Sequence, residues 1–158
     1  MSNTIKTTIR IIIFLLLNFA ALGIGGLFTG KGVTSEWYAH LNKAPWTPPG
    51  WVFGAAWATI MLCFAFYMAY LWQFSKQKKQ IIALYTLQWI LNIMWNPVFF
   101  YFQNIALGLF VIVALTLLVA FMLFYYFPVL KFKSAFLLPY FLWLLIATSL
   151  NAYILVYN

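Results

Sequence analysis

Five long apolar segments dominate this sequence, and they constrain the fold more than any other feature. Each comes close to the ~20 residues that an α-helix needs to cross the hydrocarbon core of a bilayer. None of them contains an aspartate, glutamate, lysine or arginine. The segments are residues 11–28, 52–74, 81–102, 105–127 and 136–157. We therefore predict an all-α membrane protein, with a single bundle of five transmembrane helices that forms one domain over residues 1–158.

The composition excludes the ordinary classes of soluble protein. Of the 158 residues, 66% are hydrophobic and only 6% are charged, which is too little charge to cover the surface of a soluble domain. The net charge of +8 would favour nucleic acid as a partner in a soluble protein, but here the cations lie between the apolar segments. Membrane orientation and the anionic headgroups of membrane lipids explain this placement better, so we expect no nucleic acid partner.

The first apolar segment has two interpretations. Lys6 and Arg10 precede it, and the small residues of "GIGG" (23–26) lie near its end, which is also the pattern of a cleaved signal peptide. The segment is long enough to span a bilayer, however, and its removal would leave four helices. We predict a helix that is retained.

The connections between the segments predict their arrangement. Residues 75–79, 103–104 and 128–134 are short loops, which make successive helices antiparallel neighbours. The only long connection is residues 29–50, and long ordered loops are often functional lids.

The basic residues predict the orientation. Lys31 and Lys43 lie in the long loop together with Glu36, the only acidic residue of the chain. The other seven basic residues lie on the side of the N-terminus: Lys6, Arg10, Lys76, Lys78, Lys79, Lys131 and Lys133. Positive charge accumulates on the cytoplasmic side, so we predict that the N-terminus is inside and that the long first loop and the C-terminus are outside.

The residues of conventional catalysis are missing. The single cysteine, Cys63, lies in an apolar segment, so an intrachain disulfide and a thiolate metal site are excluded. The single histidine, His40, lies one helical turn from Glu36, in a segment that predicts a short helix beginning at Thr34 or Ser35. We interpret His40 as a surface residue and not as a catalyst or an iron ligand. No apolar segment carries a carboxylate for proton coupling, so we expect no conventional enzyme, no metal and no required cofactor.

Three amides form a stripe in the third segment. Gln88, Asn92 and Asn96 recur at a spacing of four residues, which places them on one helix face. Buried amides need partners in hydrocarbon, so the stripe faces other helices or a polar spot in a ligand pocket, and not lipid. Pro97 follows and leaves the carbonyl of Ile93 without its helical donor, which predicts a kink near residues 92–95.

Tryptophans in the middle of the segments need a separate explanation. Aromatic residues near segment ends are typical of the belts at the two membrane surfaces. Trp57, Trp95 and Trp143 lie too deep for a belt, so they indicate either a packed core or an aromatic cavity. Ala147 lies one helical turn after Trp143 and would leave a flat slot beside the indole, or simply allow close helix packing.

Three ordered blocks resemble the TspO/MBR family, whose members are also called translocator proteins, peripheral-type benzodiazepine receptors and tryptophan-rich sensory proteins. The blocks are "WYAHLNKAPWTPPGWVFGAAW" (37–57), "LQWILNIMWNPVFF" (87–100) and "PYFLWLLIATSLNAY" (139–153). Together with the length and the number of apolar segments, they extend the resemblance to essentially the whole chain.

The resemblance implies a five-helix bundle, commonly a homodimer, with a pocket that opens toward the long loop. Members of the family bind porphyrins such as protoporphyrin IX, and some bind sterols or synthetic drugs. Bacterial relatives have a sensory role linked to tetrapyrroles and stress, and some promote the light-dependent breakdown of protoporphyrin. Carried over residue by residue, the ligand-binding positions are Tyr38, Trp46, Trp57, Asn92, Trp95, Trp143, Ala147 and Leu150.

The sequence departs from the family pattern at four places. Ala44 interrupts the lysine-proline pair of the loop motif. Met61 stands where many relatives have a tyrosine, and Val111 stands near a common acidic residue. The final segment "LNAYILVYN" (150–158) lacks the basic residue of the proposed sterol-recognition pattern, which argues against sterol binding.

The leading hypothesis is a porphyrin-binding membrane protein. Trp57 and Trp143 would stack on the ligand, while Asn92 and Tyr38 orient its polar edges. Lys31 or Lys43 would hold the propionates at the mouth, and the free-base porphyrin is favoured because the apolar segments lack histidine. The alternatives are a light-dependent porphyrin-degrading enzyme that uses Trp57 and Trp143 as electron donors, a transporter of porphyrins or other lipophilic molecules such as sterols, and a signalling adaptor.

Overall fold

The described part of the chain is almost entirely helical. The structure is a computed structural model, and it describes residues 3–158. The helices are α1 (Asn3–Val33), α2 (Glu36–His40), α3 (Gly50–Phe74), α4 (Lys78–Asn96), α5 (Ile105–Tyr125), α6 (Phe127–Leu130) and α7 (Leu138–Tyr157). A π-helical turn (Pro97–Tyr101) follows α4, and a 3₁₀ segment (Lys131–Leu137) precedes α7.

Four helical segments within residues 3–158 are long and apolar enough to cross a membrane. They are α1, α3, α5 and the segment Phe127–Tyr157, which contains α6 and α7. The predicted span 81–102 corresponds to α4 and the π turn, and it is not among the four. Lysines at its start and the amide stripe along it lower the hydropathy of α4. The all-α membrane class is confirmed, whereas the fifth crossing stays a prediction.

The five long helices form a closed ring. Helix α1 packs between α3 and α4, α5 packs between α4 and α7, and α7 returns to α3. Large side chains fill the centre of this ring, and Phe64, Tyr67, Tyr140 and Leu144 are completely buried there. The Tyr67 hydroxyl donates to the Met122 carbonyl at 2.8 Å, so the core also joins α3 to α5 through a polar contact.

Helix α1 extends well beyond the predicted span of residues 11–28. It continues to Val33, so the connection between α1 and α3 is shorter than the predicted loop 29–50. Packing supports the extension, because Thr29 donates to the Asn96 side-chain oxygen at 2.5 Å and Gly32 lies against the Phe100 ring. The predicted short helix in this connection is confirmed as α2, whose N-cap Ser35 accepts the Tyr38 backbone N–H at 3.2 Å.

The irregular part of the backbone begins at Pro97 and does not precede this residue. Helix α4 is regular through Asn96, where the Asn96 side-chain amide donates to the Asn92 carbonyl at 3.2 Å. The chain then changes to π-helical bonding, in which the Phe102 N–H donates to the Pro97 carbonyl at 2.9 Å. The irregular region is therefore residues 97–101 and not residues 92–95 as predicted.

The predicted loop 128–134 is also helical. Helix α6 and the 3₁₀ segment carry the chain from α5 into α7, with a sharp change of direction at Lys131, whose φ is 49°. Ser134 and Leu137 of the 3₁₀ segment are buried against the bundle. Contacts between this segment and α3 explain why a stretch that looks like a polar loop keeps helical structure.

Candidate functional site

Aromatic side chains from α2, α4 and the π turn meet beneath the long loop. Trp95 stacks on Phe99 with ring centroids 5.1 Å apart, and Trp37 contacts Phe99 edge-on at 5.6 Å. Tyr38 lies 5.6 Å from Phe100. These five residues form the loop-end cluster. The structure thus brings Tyr38 and Trp95, two of the predicted ligand-binding residues, into one region.

The loop-end cluster is held by polar contacts as well. The Trp95 indole N–H donates to the Asn151 side-chain oxygen at 3.1 Å, and Asn151 in turn donates to the Ile105 carbonyl at 3.1 Å. Burial raises the pKa of the Tyr38 phenol, so this hydroxyl stays protonated and available as a donor. The Lys43 ammonium lies 4.5 Å above the Tyr38 ring, which places a cation beside the loop-end cluster.

The deeper tryptophans belong to the central core. Trp57 contacts Tyr140 edge-on with centroids 5.9 Å apart, and Trp143 contacts Phe53 at 5.3 Å. Ala147 and Trp95 pack against the same core, so Trp95 connects it to the loop-end cluster. Trp143 is only 6% exposed, and its indole N–H has no hydrogen-bond partner among the groups of residues 3–158. A buried donor without an acceptor is rare in folded proteins.

A groove of about 350 Å³ lies between α3 and α7, and Trp143 forms part of its wall. Its volume is at the low end of the range for small-molecule sites. The groove is open toward the outside of the bundle, where Ala55, Thr59, Leu142 and Ile146 are exposed. The residues that line it are Val52, Ala55, Ala56, Thr59, Ile60, Pro139, Leu142, Trp143 and Ile146. Because this lining is almost entirely apolar, the groove suits a lipophilic molecule.

The amide stripe of α4 faces the bundle, as predicted. Gln88 and Asn92 are buried, and the Gln88 amide donates to the Tyr140 hydroxyl at 2.7 Å. The other side-chain atom of Gln88, its oxygen, has no partner among the described groups. Leu150 on α7 is also buried. Tyr140 was not among the sequence candidates, although its position three residues before Trp143 puts both rings on one face of α7.

Trp46 lies apart from the other predicted ligand-binding residues. It is 54% exposed, and its indole N–H donates to the Ser149 hydroxyl at 3.2 Å. Its ring contacts Tyr153 edge-on at 5.4 Å. Nearby, the Asn42 backbone N–H donates to the Asn158 side chain at 2.9 Å. These contacts fasten the loop between α2 and α3 to the outer face of α7.

The match to known proteins covers nearly the whole chain. Residues 13–157 match the TspO/MBR family. The chain is 35% identical to the tryptophan-rich protein TspO of Archaeoglobus fulgidus over 99% of both sequences. It is 34% identical to the tryptophan-rich sensory protein of Cereibacter sphaeroides over 73% of each, and 30% identical to the human translocator protein over 81% of this chain and 78% of the human one. With its long apolar helices, the chain is therefore an integral membrane protein that belongs to the TspO/MBR family.

Proposed function

We propose that the protein binds a planar, mostly apolar tetrapyrrole of the protoporphyrin IX class and has a sensory or stress-regulatory role. The observation that carries this proposal is the apolar groove between α3 and α7, whose wall includes the indole ring of Trp143. A porphyrin brings a large flat apolar face together with polar edges that accept hydrogen bonds. The names of the relatives, sensory protein and translocator protein, are consistent with this role.

The proposed site extends from the groove to the long loop. Trp143 supplies stacking area in the wall of the groove, and Trp57 packs behind it against Tyr140 of the core. A complete macrocycle lies partly outside the groove because 350 Å³ does not enclose it. Asn92 and Tyr38 orient polar edges, and Lys43 neutralises a propionate at the mouth. The remaining candidates complete the walls and the lid: Trp46, Trp95, Ala147 and Leu150. The ligand is the free-base porphyrin, because the only histidine is His40 in the loop region.

We also propose that α4 and the π turn form the fifth membrane crossing. The outward side chains of α4 are apolar, with Ile82, Leu87 and Ile90 exposed, whereas its amides Gln88 and Asn92 point into the bundle. A helix that satisfies its polar groups internally can cross a bilayer although its mean hydropathy is low. The N-terminus then lies inside and the long loop outside. Two copies associate as a homodimer, as the family resemblance implies.

The proposed site is tested by titration of the purified protein with protoporphyrin IX in the dark, followed by quenching of tryptophan fluorescence. We expect Trp143→Ala to weaken binding by about tenfold or more, since a buried aromatic side chain contributes on the order of 1.5–3 kcal/mol. Trp143→Phe keeps an aromatic ring of smaller area, so its affinity should fall between those of Trp143→Ala and the wild type. Trp89→Ala, on α4 and outside the lining of the groove, is the matched control.

Unchanged affinity of the Trp143→Ala variant would refute the assignment of the site. The same titration under illumination separates binding from degradation. Loss of the porphyrin absorbance in the light that depends on Trp57 and Trp143 would identify the light-dependent enzyme instead. Uptake into proteoliposomes above that of empty vesicles would identify a transporter.

A further inference from the structure

A second depression lies at the end of the bundle opposite the long loop, away from the proposed porphyrin site. It has a volume of about 410 Å³ and lies between the turn that joins α3 to α4 and the junction of α5 with α6. We call it the basic-end depression. Its lining residues are Phe74, Ser75, Lys76, Gln77, Tyr125, Tyr126 and Val129. Nothing in the proposed porphyrin function uses this part of the molecule.

The positive charge at the basic-end depression has no counterion in the protein. Lys76 is part of its lining, and the Lys133 ammonium lies 4.7 Å from the centroid of the Phe74 ring at its edge. The only carboxylate side chain in the sequence is that of Glu36, which lies in α2 at the long-loop end. The N-terminal part of α1 adds its own cations to this end, because Thr7 donates to Gln73 at 2.9 Å. The negative charge that balances these groups must therefore come from outside the chain.

Tyr126 lines the depression, but its hydroxyl oxygen is buried beneath the surface. Tyr126 is 1% exposed, and its hydroxyl has no partner among the described groups. The other polar wall groups bond to each other: the Gln77 amide donates to the Tyr125 hydroxyl at 3.3 Å, and the Gln77 backbone N–H donates to the Ser75 hydroxyl at 3.2 Å. Lys76 is therefore the lining residue that can hold an anion.

Exposed apolar side chains surround the charged groups and favour a lipid over a free anion. Phe132, between the two lysines of the 3₁₀ segment, is 95% exposed, and Phe74, Phe127 and Val129 are exposed as well. Aromatic residues at such a position are typical of the membrane surface, where headgroups meet acyl chains. Basic pockets between helices on the positive side of a membrane protein are suited to anionic headgroups.

We propose that the basic-end depression binds the phosphate headgroup of an anionic phospholipid. Lys76 and Lys133 supply the countercharge, and the exposed aromatic residues contact the acyl chains. The site is independent of the porphyrin site, so either proposal can fail while the other stands.

The test is a competition between lipids on the full-length protein in detergent. Native mass spectrometry measures how much phosphatidylglycerol and how much phosphatidylcholine stay bound. The shift of the thermal midpoint on addition of each lipid measures how strongly that lipid stabilises the protein. We expect phosphatidylglycerol to be retained preferentially, and the double variant Lys76→Gln, Lys133→Gln to bind it about tenfold more weakly. Tyr126→Phe should leave binding unchanged, because the Tyr126 hydroxyl is buried beneath the surface of the depression.

The matched control is the double variant Lys6→Gln, Lys79→Gln, which removes the same charge from the same end. Neither residue lines the depression, and neither lies over its Phe74 ring as Lys133 does. The control should retain phosphatidylglycerol as the wild type does. An equal loss in this control would show diffuse attraction to the surface and overturn the proposal. Equal retention of the two lipids, or complete displacement of phosphatidylglycerol by millimolar inorganic phosphate, would also overturn it. Helical circular dichroism of every variant separates loss of the site from loss of the fold.

Discussion

Gly32 and its neighbours on α1 show how single positions decide the packing of this membrane protein. A Cβ atom added at Gly32 would overlap the Phe100 ring, and one added at Gly25 would come 2.6 Å from the Asn96 amide nitrogen. Thr29, between them on the same face, donates to the Asn96 side chain. Small residues on this face let α1 approach the π turn closely, which is the usual basis of helix association in membranes.

We expect Gly32→Ala to destabilise the protein by about 1–3 kcal/mol, because the new methyl group displaces α1 from the Phe100 ring. The thermal midpoint in detergent measures this loss. Gly30→Ala is the control, since nothing lies within 4 Å of a Cβ at that position. There the substitution should be neutral or slightly stabilising through helix propensity. Equal midpoints for the two variants would contradict the close contact between α1 and the π turn.

Asn18 also contributes to the packing of α1, and the sequence did not indicate this role. It is the one polar side chain among the apolar residues 11–28, and it is buried. Its amide donates to the Met61 carbonyl at 3.0 Å, and its oxygen accepts the Tyr85 hydroxyl at 2.8 Å. A single side chain therefore joins α1 to both of its neighbours in the ring, α3 and α4.

At the scale of the element, α4 is where local pattern and tertiary contacts agree best. The spacing of Gln88 and Asn92 predicted an inward face, and both residues are buried. Gln88 bonds Tyr140 and Asn96 bonds Thr29, so interhelical hydrogen bonding accounts for two of the three amides. A role of Asn92 in ligand binding stays a prediction.

The turn after the π segment offers a test of backbone geometry. Gln103 has a φ of 52°, in the left-handed region, and its side chain is exposed. Gln103→Val should destabilise the protein by roughly 1–2 kcal/mol, because a β-branched residue fits this conformation poorly. Gln103→Asn should be neutral or stabilising. Thermal midpoints of the two variants measure the difference, and equal values would show that the turn relaxes to another conformation.

At the scale of the whole molecule, the distribution of charged residues agrees with the positions of the two ends of the chain. Thr7 contacts Gln73 at one end of the bundle, whereas Asn42 contacts Asn158 at the other, so the two ends of the described chain lie at opposite ends of the ring. This arrangement agrees with an odd number of crossings. The concentration of lysines at the Thr7 end and the single carboxylate at the other end favour one orientation in the membrane.

We expect the C-terminus to lie on the outer side of the membrane. A reporter that is active only on that side should therefore be active when it is fused after Asn158. In a Cys63→Ala background, Lys43→Cys should react with a membrane-impermeant maleimide added from outside, and Lys79→Cys only after the membrane is opened. A cytoplasmic reporter at Asn158 would refute both the five crossings and the orientation.

The candidate site was predictable only in part. The loop-end position of Tyr38 and the depth of Trp57 and Trp143 followed from motif and spacing. The groove on the outer side of α3 and α7 and the contact of Tyr140 with Trp57 did not, because they depend on which helix faces meet. A uniformly apolar helix such as α5 has no polar face that would mark which side points inward. Its sequence therefore says little about how the helix is rotated about its own axis.

The sequence by itself determined the membrane class, the long helical segments, a short helix beginning at Thr34 or Ser35 and the inward side of the α4 amides. These features depend on hydropathy, capping and periodicity, which act over a few neighbouring residues. The tertiary structure alone decided the ring order of the helices, the extension of α1 to Val33, the helical form of residues 127–137 and the two depressions. Those features arise from contacts between residues far apart in the chain, and in a protein that is apolar along most of its length only the packing of side chains distinguishes one arrangement from another.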